Sequence, residues 1–432
     1  MILRTELRRS TAPVVGITLP VLSLALLYST TGPWGKTTAP WDEQWIGLAQ
    51  WTRYLSLFLL PLVLGAGAWQ GMRERRSGVL ELFASTPRTA WRRVLPTACA
   101  VGLALTAGYL VLLVFGGVRV TKTASYFPVG WLPVAGVMVL ALVGVALLGA
   151  GIGRLVPWLV APPVLAVALL AGLVVLDQAG WPRLLTPVFS GLEVGVHTSV
   201  AGSVTVSQAL WFTGIGLTGF GLLFATKATT RVAALLPVVL GAAVAVPVLS
   251  GVDSVVVADP AARALVCDDD GPRVCVTRAH ADYLPAITGP ARRALTLLGR
   301  LPSPPTSVVE MVPEERLRAP AGATPVFILT LPLPDPDELE TRILGSVGAP
   351  DCGLTYDWEA SDRLIAARII VAGWLTGELK PVPGINYVWD RLRSDIEDTW
   401  RALRALPPAE QASRVAALRE AAVFCRGEVT GL

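Results

Sequence analysis

The chain has 432 residues, of which 53% are hydrophobic and only 16% charged, whereas soluble domains are about 25% charged. A mean hydropathy of +0.57 excludes an intrinsically disordered or collagen-like chain and argues against an ordinary soluble one. The net charge of +4 combines two unlike halves: residues 1–252 hold 17 Lys and Arg against 7 Asp and Glu, and residues 253–432 hold 19 against 25.

Seven apolar stretches, at roughly 20 residues per crossing, are long enough to be membrane helices. They lie near residues 11–28, 48–69, 96–118, 132–153, 155–176, 209–226 and 232–250, the fourth and fifth separated only by a tight turn around Arg154. The first run has no small-residue cleavage pattern, and Arg4, Arg8 and Arg9 ahead of it suit a retained cytoplasmic anchor rather than a signal peptide. With the N-terminus inside, the cytoplasmic segments carry 12 basic residues, among them Arg73, Arg75, Arg76, Arg88, Arg92, Arg93, Arg154, Lys227 and Arg231. The outer segments carry 5: Lys36, Arg53, Arg119, Lys122 and Arg183. That bias follows the positive-inside rule, and an odd number of crossings then puts residues 253–432 outside the cell.

The cysteines bear on the same question. Four of the five, Cys267, Cys275, Cys352 and Cys425, lie in the C-terminal half, and an even set in an extracytoplasmic domain reads as disulfides. Three connectivities are open. The favoured one pairs Cys267 with Cys275, because Ala-Leu-Val-Cys, Asp-Asp-Asp-Gly, Pro-Arg-Val-Cys-Val reads as a hairpin. Cys352 would then join Cys425 and tie the last helix back to the domain. The alternative is four free thiols in a cytosolic domain. The remaining pattern of the tail is α+β. It has strands near 254–258, 307–312 and 325–331, and helices near 281–298, 338–347, 358–375, 386–406 and 408–424.

Catalytic and metal motifs are missing. The two histidines, His197 and His280, are far apart, and there is no His-Glu-x-x-His, Cys-x-x-Cys, Gly-x-Ser-x-Gly or Ser-x-x-Lys pattern. His280 reads as a packing or capping residue at a helix start, with a triad assembled in space around it as the open alternative. No catalytic residue and no metal ligand is assigned. Gly32-Pro-Trp-Gly35-Lys36-Thr37 lacks the first glycine and the strand–loop–helix setting of a phosphate loop. Gly214-Ile-Gly216-Leu-Thr-Gly219 matches a dinucleotide pattern but sits inside the sixth span, where small residues let helices approach. Asp268–Asp270 reads as a solvated hairpin tip rather than a cation site. The cytoplasmic basic residues suit the anionic inner leaflet, not nucleic acid.

The most informative segment joins the second and third spans: Arg73-Glu-Arg-Arg-Ser-Gly-Val-Leu-Glu-Leu-Phe-Ala-Ser-Thr-Pro. A short helix over 79–84 would place Leu80 and Phe83 on one face and Glu81 on another, and Pro87 would stop it. Such a helix suits docking into a groove on a partner, or alternatively lying on the inner leaflet.

Here the chain resembles the permease subunits of type-2 ATP-binding-cassette (ABC) exporters. Their first cytoplasmic loop commonly reads Glu-x-Glu/Arg-x-Gly-Thr-Leu-Glu-Leu-Leu-x-Ser-Thr-Pro. The matching residues are Glu74, Arg76, Gly78, Leu80, Glu81, Leu82, Ser85, Thr86 and Pro87, with Val79 and Phe83 as mild departures. A charged amphipathic N-terminal helix (2–9), six spans and a long outer segment before the sixth extend the resemblance over about residues 1–230. It implies a fold class: an α-helical multi-pass membrane protein, a six-span permease at 1–230 plus a seventh span at 231–252. A disulfide-stabilised extracytoplasmic α+β domain follows at 253–432.

The resemblance further implies that Glu74–Pro87 is a coupling helix docking on a separate P-loop ATPase subunit. Arg76 and Glu81 would be its polar contacts, and Leu80 and Phe83 its apolar anchors. ATP and Mg would be bound by that partner and no cofactor by this chain. A second permease copy, as homodimer or paired permease, and membrane lipid are the other implied partners, with an extracytoplasmic protein as a further one. The plasma membrane is the implied location. The seventh span and the tail are similar to actinobacterial-type permeases with an extracytoplasmic C-terminal domain, and 32 Arg against 4 Lys suits a GC-rich genome. The expected activity is export of a lipid, peptide or amphipathic small molecule. The alternative is a membrane-anchored sensor or scaffold whose outer domain binds an envelope ligand or partner.

Overall fold

Runs of Leu, Val, Ala and Gly without charge leave a helix apolar on every side, and such a helix is stable only in a core or in lipid. The computed structural model describes residues 12–31, 44–76, 89–188, 195–312, 322–328, 333–350, 352 and 357–426. The chain divides into two compact units, Met1–Asp259 and Pro260–Leu432, each with its own hydrophobic core.

The first unit is built from helices α1 (Ala12–Thr31), α2 (Trp45–Tyr54), α3 (Ser56–Gly71), α4 (Arg73–Arg76), α5 (Ala90–Val120), α6 (Trp131–Leu155), α7 (Ala161–Asp177), α8 (Gly202–Phe224), α9 (Ala228–Ala233) and α10 (Leu236–Ser250). Among the described residues, four helical stretches are long and apolar enough to cross a membrane: Ala90–Val120, Trp131–Leu155, Gly202–Phe224 and Ala228–Ser250. A fifth arises if the pair α2 and α3, bent by 51°, is one span. This is a membrane-embedded protein.

The seven expected spans are therefore met in part. The first and fifth coincide with shorter apolar helices, Ala12–Leu26 and Ala161–Asp177, and the second is broken at Leu55. The turn expected at Arg154 falls just after it, because α6 continues through Leu155.

Small residues decide how these helices pack, since lipid gives no hydrophobic drive between them. A Cβ at Gly67 or Gly71 of α3 would collide with the carbonyls of Ala146 or Ala150 of α6. One at Gly149 or Gly153 of α6 would collide with those of Leu64 or Ala68 of α3. Two interleaved small-xxx-small rows thus bring α3 and α6 to backbone contact. The opposite face of α6 receives α8 in the same way, Gly144 against Phe212 and Gly151 against Gly219. A short ladder of β1 (Thr198–Val200) and β2 (Val256–Ala258) completes this unit.

The second unit holds a sheet in the order β3 (Leu265–Asp268), β4 (Arg273–Thr277), β5 (Ser307–Glu310), β6 (Ala323–Val326). β3 and β4 form an antiparallel hairpin, and β4, β5 and β6 are parallel. After a short α11 (Pro260–Arg263), helix α12 (Leu284–Leu298) makes the crossover that a β4–β5 parallel pair needs. Helices α13 (Pro336–Leu344), α14 (Trp358–Thr376), α15 (Trp389–Arg404) and α16 (Pro408–Phe424) follow.

Local chemistry sets their ends. Asp335 accepts from the backbone of Asp337 and Glu338, and Asp357 from Ala360, as N-caps. Gly377, at φ 87°, closes α14 in the left-handed conformation. With Asp335 as cap and Pro336 in the first turn, α13 starts earlier than the expected 338.

Candidate functional site

Of the residues that carry the exporter resemblance, Gly78, Leu80, Glu81, Leu82, Phe83, Ser85, Thr86 and Pro87 lie outside the described residues. So do the expected helices over 79–84 and 2–9. Glu74 lies in α4. Arg76, in the same helix, is exposed, with its guanidinium carbon 4.2 Å from the centre of the Trp69 ring. On the far side of the segment, α5 opens with Arg92 placed 5.2 Å from the ring of Trp91.

Packing draws these flanks together. Gly71 of α3 abuts Ala150 of α6, Val94 of α5 clusters with Ala150 and with Leu223 of α8, and Gly221 of α8 abuts Ala234. The end of α3, the start of α5, the ends of α6 and α8, and the start of the α9–α10 stretch therefore share one pole of the first unit.

Away from that pole lies a buried polar knot. Arg53, at the break between α2 and α3, is fully buried rather than an outer-loop charge as its place in the sequence predicted. Its Nε donates to the Pro187 carbonyl at 2.9 Å and its Nη2 to Gln208 Oε1 of α8. Gln208 Nε2 donates in turn to the carbonyls of Leu184 and Thr186, at 2.7 and 3.1 Å, and the Trp211 indole donates to Leu185 at 3.0 Å. Two helices are thereby fastened to the segment 181–187, which opens with the 3-10 turn Trp181–Leu185. Beside it, Thr52 and Tyr109 hydroxyls share a hydrogen bond of 3.0 Å. An arginine inside an apolar run was the visible signal for this knot. Its partner Gln208 fell just before the expected start of the sixth span.

The glycine pattern at 214–219 lies on α8 and meets helices. Gly214 abuts Pro237 of α10, Gly216 abuts Gly144, and Gly219 abuts Leu147 and Leu148 of α6.

In the second unit, Cys267 pairs with Cys275 and Cys352 with Cys425, both at an S–S distance of 2.08 Å. The first bridge joins directly opposed residues of the β3–β4 ladder. Its turn needs Gly271 at φ 148°, a conformation open to glycine. The Asp268 carboxylate accepts from the Asp270 backbone at 3.0 Å and from Arg292 at 2.9 Å, and Asp269 pairs with Arg273. The Asp270 hydrogen bond, then Arg292, hold the Asp268 carboxyl below the usual carboxylate range. The acidic tip is thus a braced turn.

At the second bridge, the buried Arg368 donates to the carbonyls of Ala422, Ala349 and Pro350, at 2.8, 3.1 and 2.6 Å. It holds together the two segments that Cys352 and Cys425 join. Burial lowers Arg419 to about 10, so it stays cationic at neutral pH while donating to Thr324.

His280 is buried in the 3-10 turn Arg278–Tyr283, with Nδ1 2.6 Å from Glu310 Oε1. Glu310 Oε2 accepts from the Thr277 backbone N–H at 2.7 Å and from its hydroxyl at 3.0 Å. The side chains of His280 and Glu310 are only 4% and 1% exposed. The group ties the end of β4 to the end of β5 as an internal clasp. Glu310 went unrecognised in the sequence, although a lone carboxylate in Ser-Val-Val-Glu-Met-Val signals a buried partner.

Comparison with known proteins finds no matching family model, no similar curated protein and no similar solved structure.

Proposed function

We propose that this chain is the transmembrane subunit of an ATP-driven exporter of the type-2 ABC kind, working with a separate P-loop ATPase. The observation that carries the reading is the segment Glu74–Pro87 and its match to the coupling-loop pattern. Its flanks, Arg76 in α4 and Arg92 in α5, stand at the pole where several helix ends meet. A docking loop there could pass a push from the ATPase to the α3–α6–α8 stack, whose backbone contacts leave little slack to absorb it. In this reading the basic pole and the N-terminus are cytoplasmic. The disulfide-braced unit lies outside, where such bridges persist. ATP and Mg belong to the partner, and two permease halves enclose a path for a lipid, peptide or amphipathic small molecule.

The test is purification of the tagged chain from native membranes in mild detergent, with mass spectrometry of what accompanies it. A stoichiometric P-loop ATPase is expected, and the paired exchange Glu81→Ala with Phe83→Ala should remove it. Undiminished ATPase in the double variant would overturn the docking role. A second reading draws on the independently cored, twice-bridged outer unit: a sensor or scaffold that keeps the ATPase but moves nothing. Ligand-stimulated ATP turnover without flux in proteoliposomes would favour it.

A further inference from the structure

The pole where the helix ends meet is basic. Arg76, Arg92, Lys227 and Arg231 are all exposed there, and Glu74 is the single acidic residue in the segments 64–76, 89–100, 146–156 and 220–236 that form it. Two of the arginines are built into pairs with tryptophan. The guanidinium carbon of Arg76 lies 4.2 Å from the Trp69 ring centre, and that of Arg92 lies 5.2 Å from the Trp91 ring centre.

Trp69 and Trp91 are 45% and 43% exposed, and each continues an apolar exposed flank. Leu62, 53% exposed, lies two turns before Trp69 on α3, and Leu95, 39% exposed, lies one turn after Trp91 on α5. Each unit of this surface thus runs from exposed aliphatic side chain to indole to guanidinium. That sequence of chemistries matches a phospholipid read from acyl chain to headgroup boundary to phosphate. Indoles settle at that boundary, and a stacked guanidinium keeps the planar fork that receives phosphate oxygens two at a time.

We propose that Trp69–Arg76 and Trp91–Arg92 are two seats for the phosphate headgroups of anionic phospholipids, on either side of the segment 77–88. A free phosphate would make no use of Leu62 and Leu95, so the occupant is lipid. Lys227 and Arg231, on the neighbouring helix end, add long-range attraction for the same leaflet. Where no ATPase is docked, Arg76, a docking contact under the proposed function, meets lipid in a transporter and a scaffold alike, so the seats are tested apart from the ATPase.

The test uses the full-length protein in nanodiscs of phosphatidylcholine mixed with phosphatidylglycerol, with native mass spectrometry of the lipids it retains. The wild-type chain is expected to retain phosphatidylglycerol in preference. Arg76→Gln and Arg92→Gln should each lower that preference about fivefold. Lys exchanges at the same positions, which keep the charge, should lower it less. Lys122→Gln, beyond the other end of α5, should leave it unchanged, as should added inorganic phosphate. An unchanged preference in the paired Gln variant, or an equal fall with Lys122→Gln, would overturn the seats. Loss of the preference to inorganic phosphate would overturn the choice of lipid as occupant.

Discussion

Asp268 and Arg368 show two ways in which one polar side chain holds the second unit together. The Asp268 carboxyl is held below its ordinary value of about 3.8 by the Asp270 N–H and Arg292. A depressed acid adds stability above its unfolded value and loses it as pH falls through the lower folded value. Acid titration of the unfolding midpoint should therefore show a loss below about pH 4, and Asp268→Asn should flatten that part of the curve. Arg368 acts by geometry: its buried guanidinium donates to three carbonyls, those of Ala422, Ala349 and Pro350. Arg368→Ala leaves them buried around a void. It should cost about 3 kcal/mol or more, read as a lower thermal midpoint. Neither role was legible in sequence. An arginine within a helix looks solvated until the packing of α14 against α16 encloses it.

At the scale of elements, the packing of α3 on α6 separates glycines that matter from those that do not. Gly153→Val would drive a side chain into the Ala68 carbonyl and should destabilise the membrane unit by about 1–3 kcal/mol. Gly172→Val on α7 meets nothing within 4 Å and should fall within about 0.5 kcal/mol of wild type. Thermal unfolding in detergent, followed by size-exclusion chromatography, distinguishes them. Both glycines sit in apolar runs of similar composition, so hydropathy treats them alike. The glycine pattern of α8 was readable as helix packing because it lacked a preceding strand. The 51° bend at Leu55 was not readable: continuous hydropathy over 48–69 hides a break beside which Arg53 reaches Pro187 and Gln208.

For the molecule as a whole, the two disulfides differ in how much chain they close. Cys267 and Cys275 are 8 residues apart, whereas Cys352 and Cys425 are 73 apart. The chain-entropy cost in the unfolded state is about 2.5 kcal/mol for the short loop and about 4 for the long one. Serine at Cys352 and Cys425 should therefore lower the urea midpoint of the second unit more than serine at Cys267 and Cys275. An equal shift would mean that residual structure in the unfolded chain already confines the long loop without its bridge.

The membrane character of the first half, the α+β order of the tail and the β3–β4 hairpin that opposes Cys267 to Cys275 are legible in the amino-acid order alone. These follow from composition, periodicity and turn chemistry, which act over a few neighbouring residues. Where the second apolar run breaks, which glycines touch a neighbouring helix, and the clasp of Glu310 on His280 emerge from long-range packing instead. So does the burial of Arg53, which the sequence places among the outer-segment charges. Each of these depends on groups tens to over a hundred residues apart, and their cost or benefit exists only once packing has excluded water from between them.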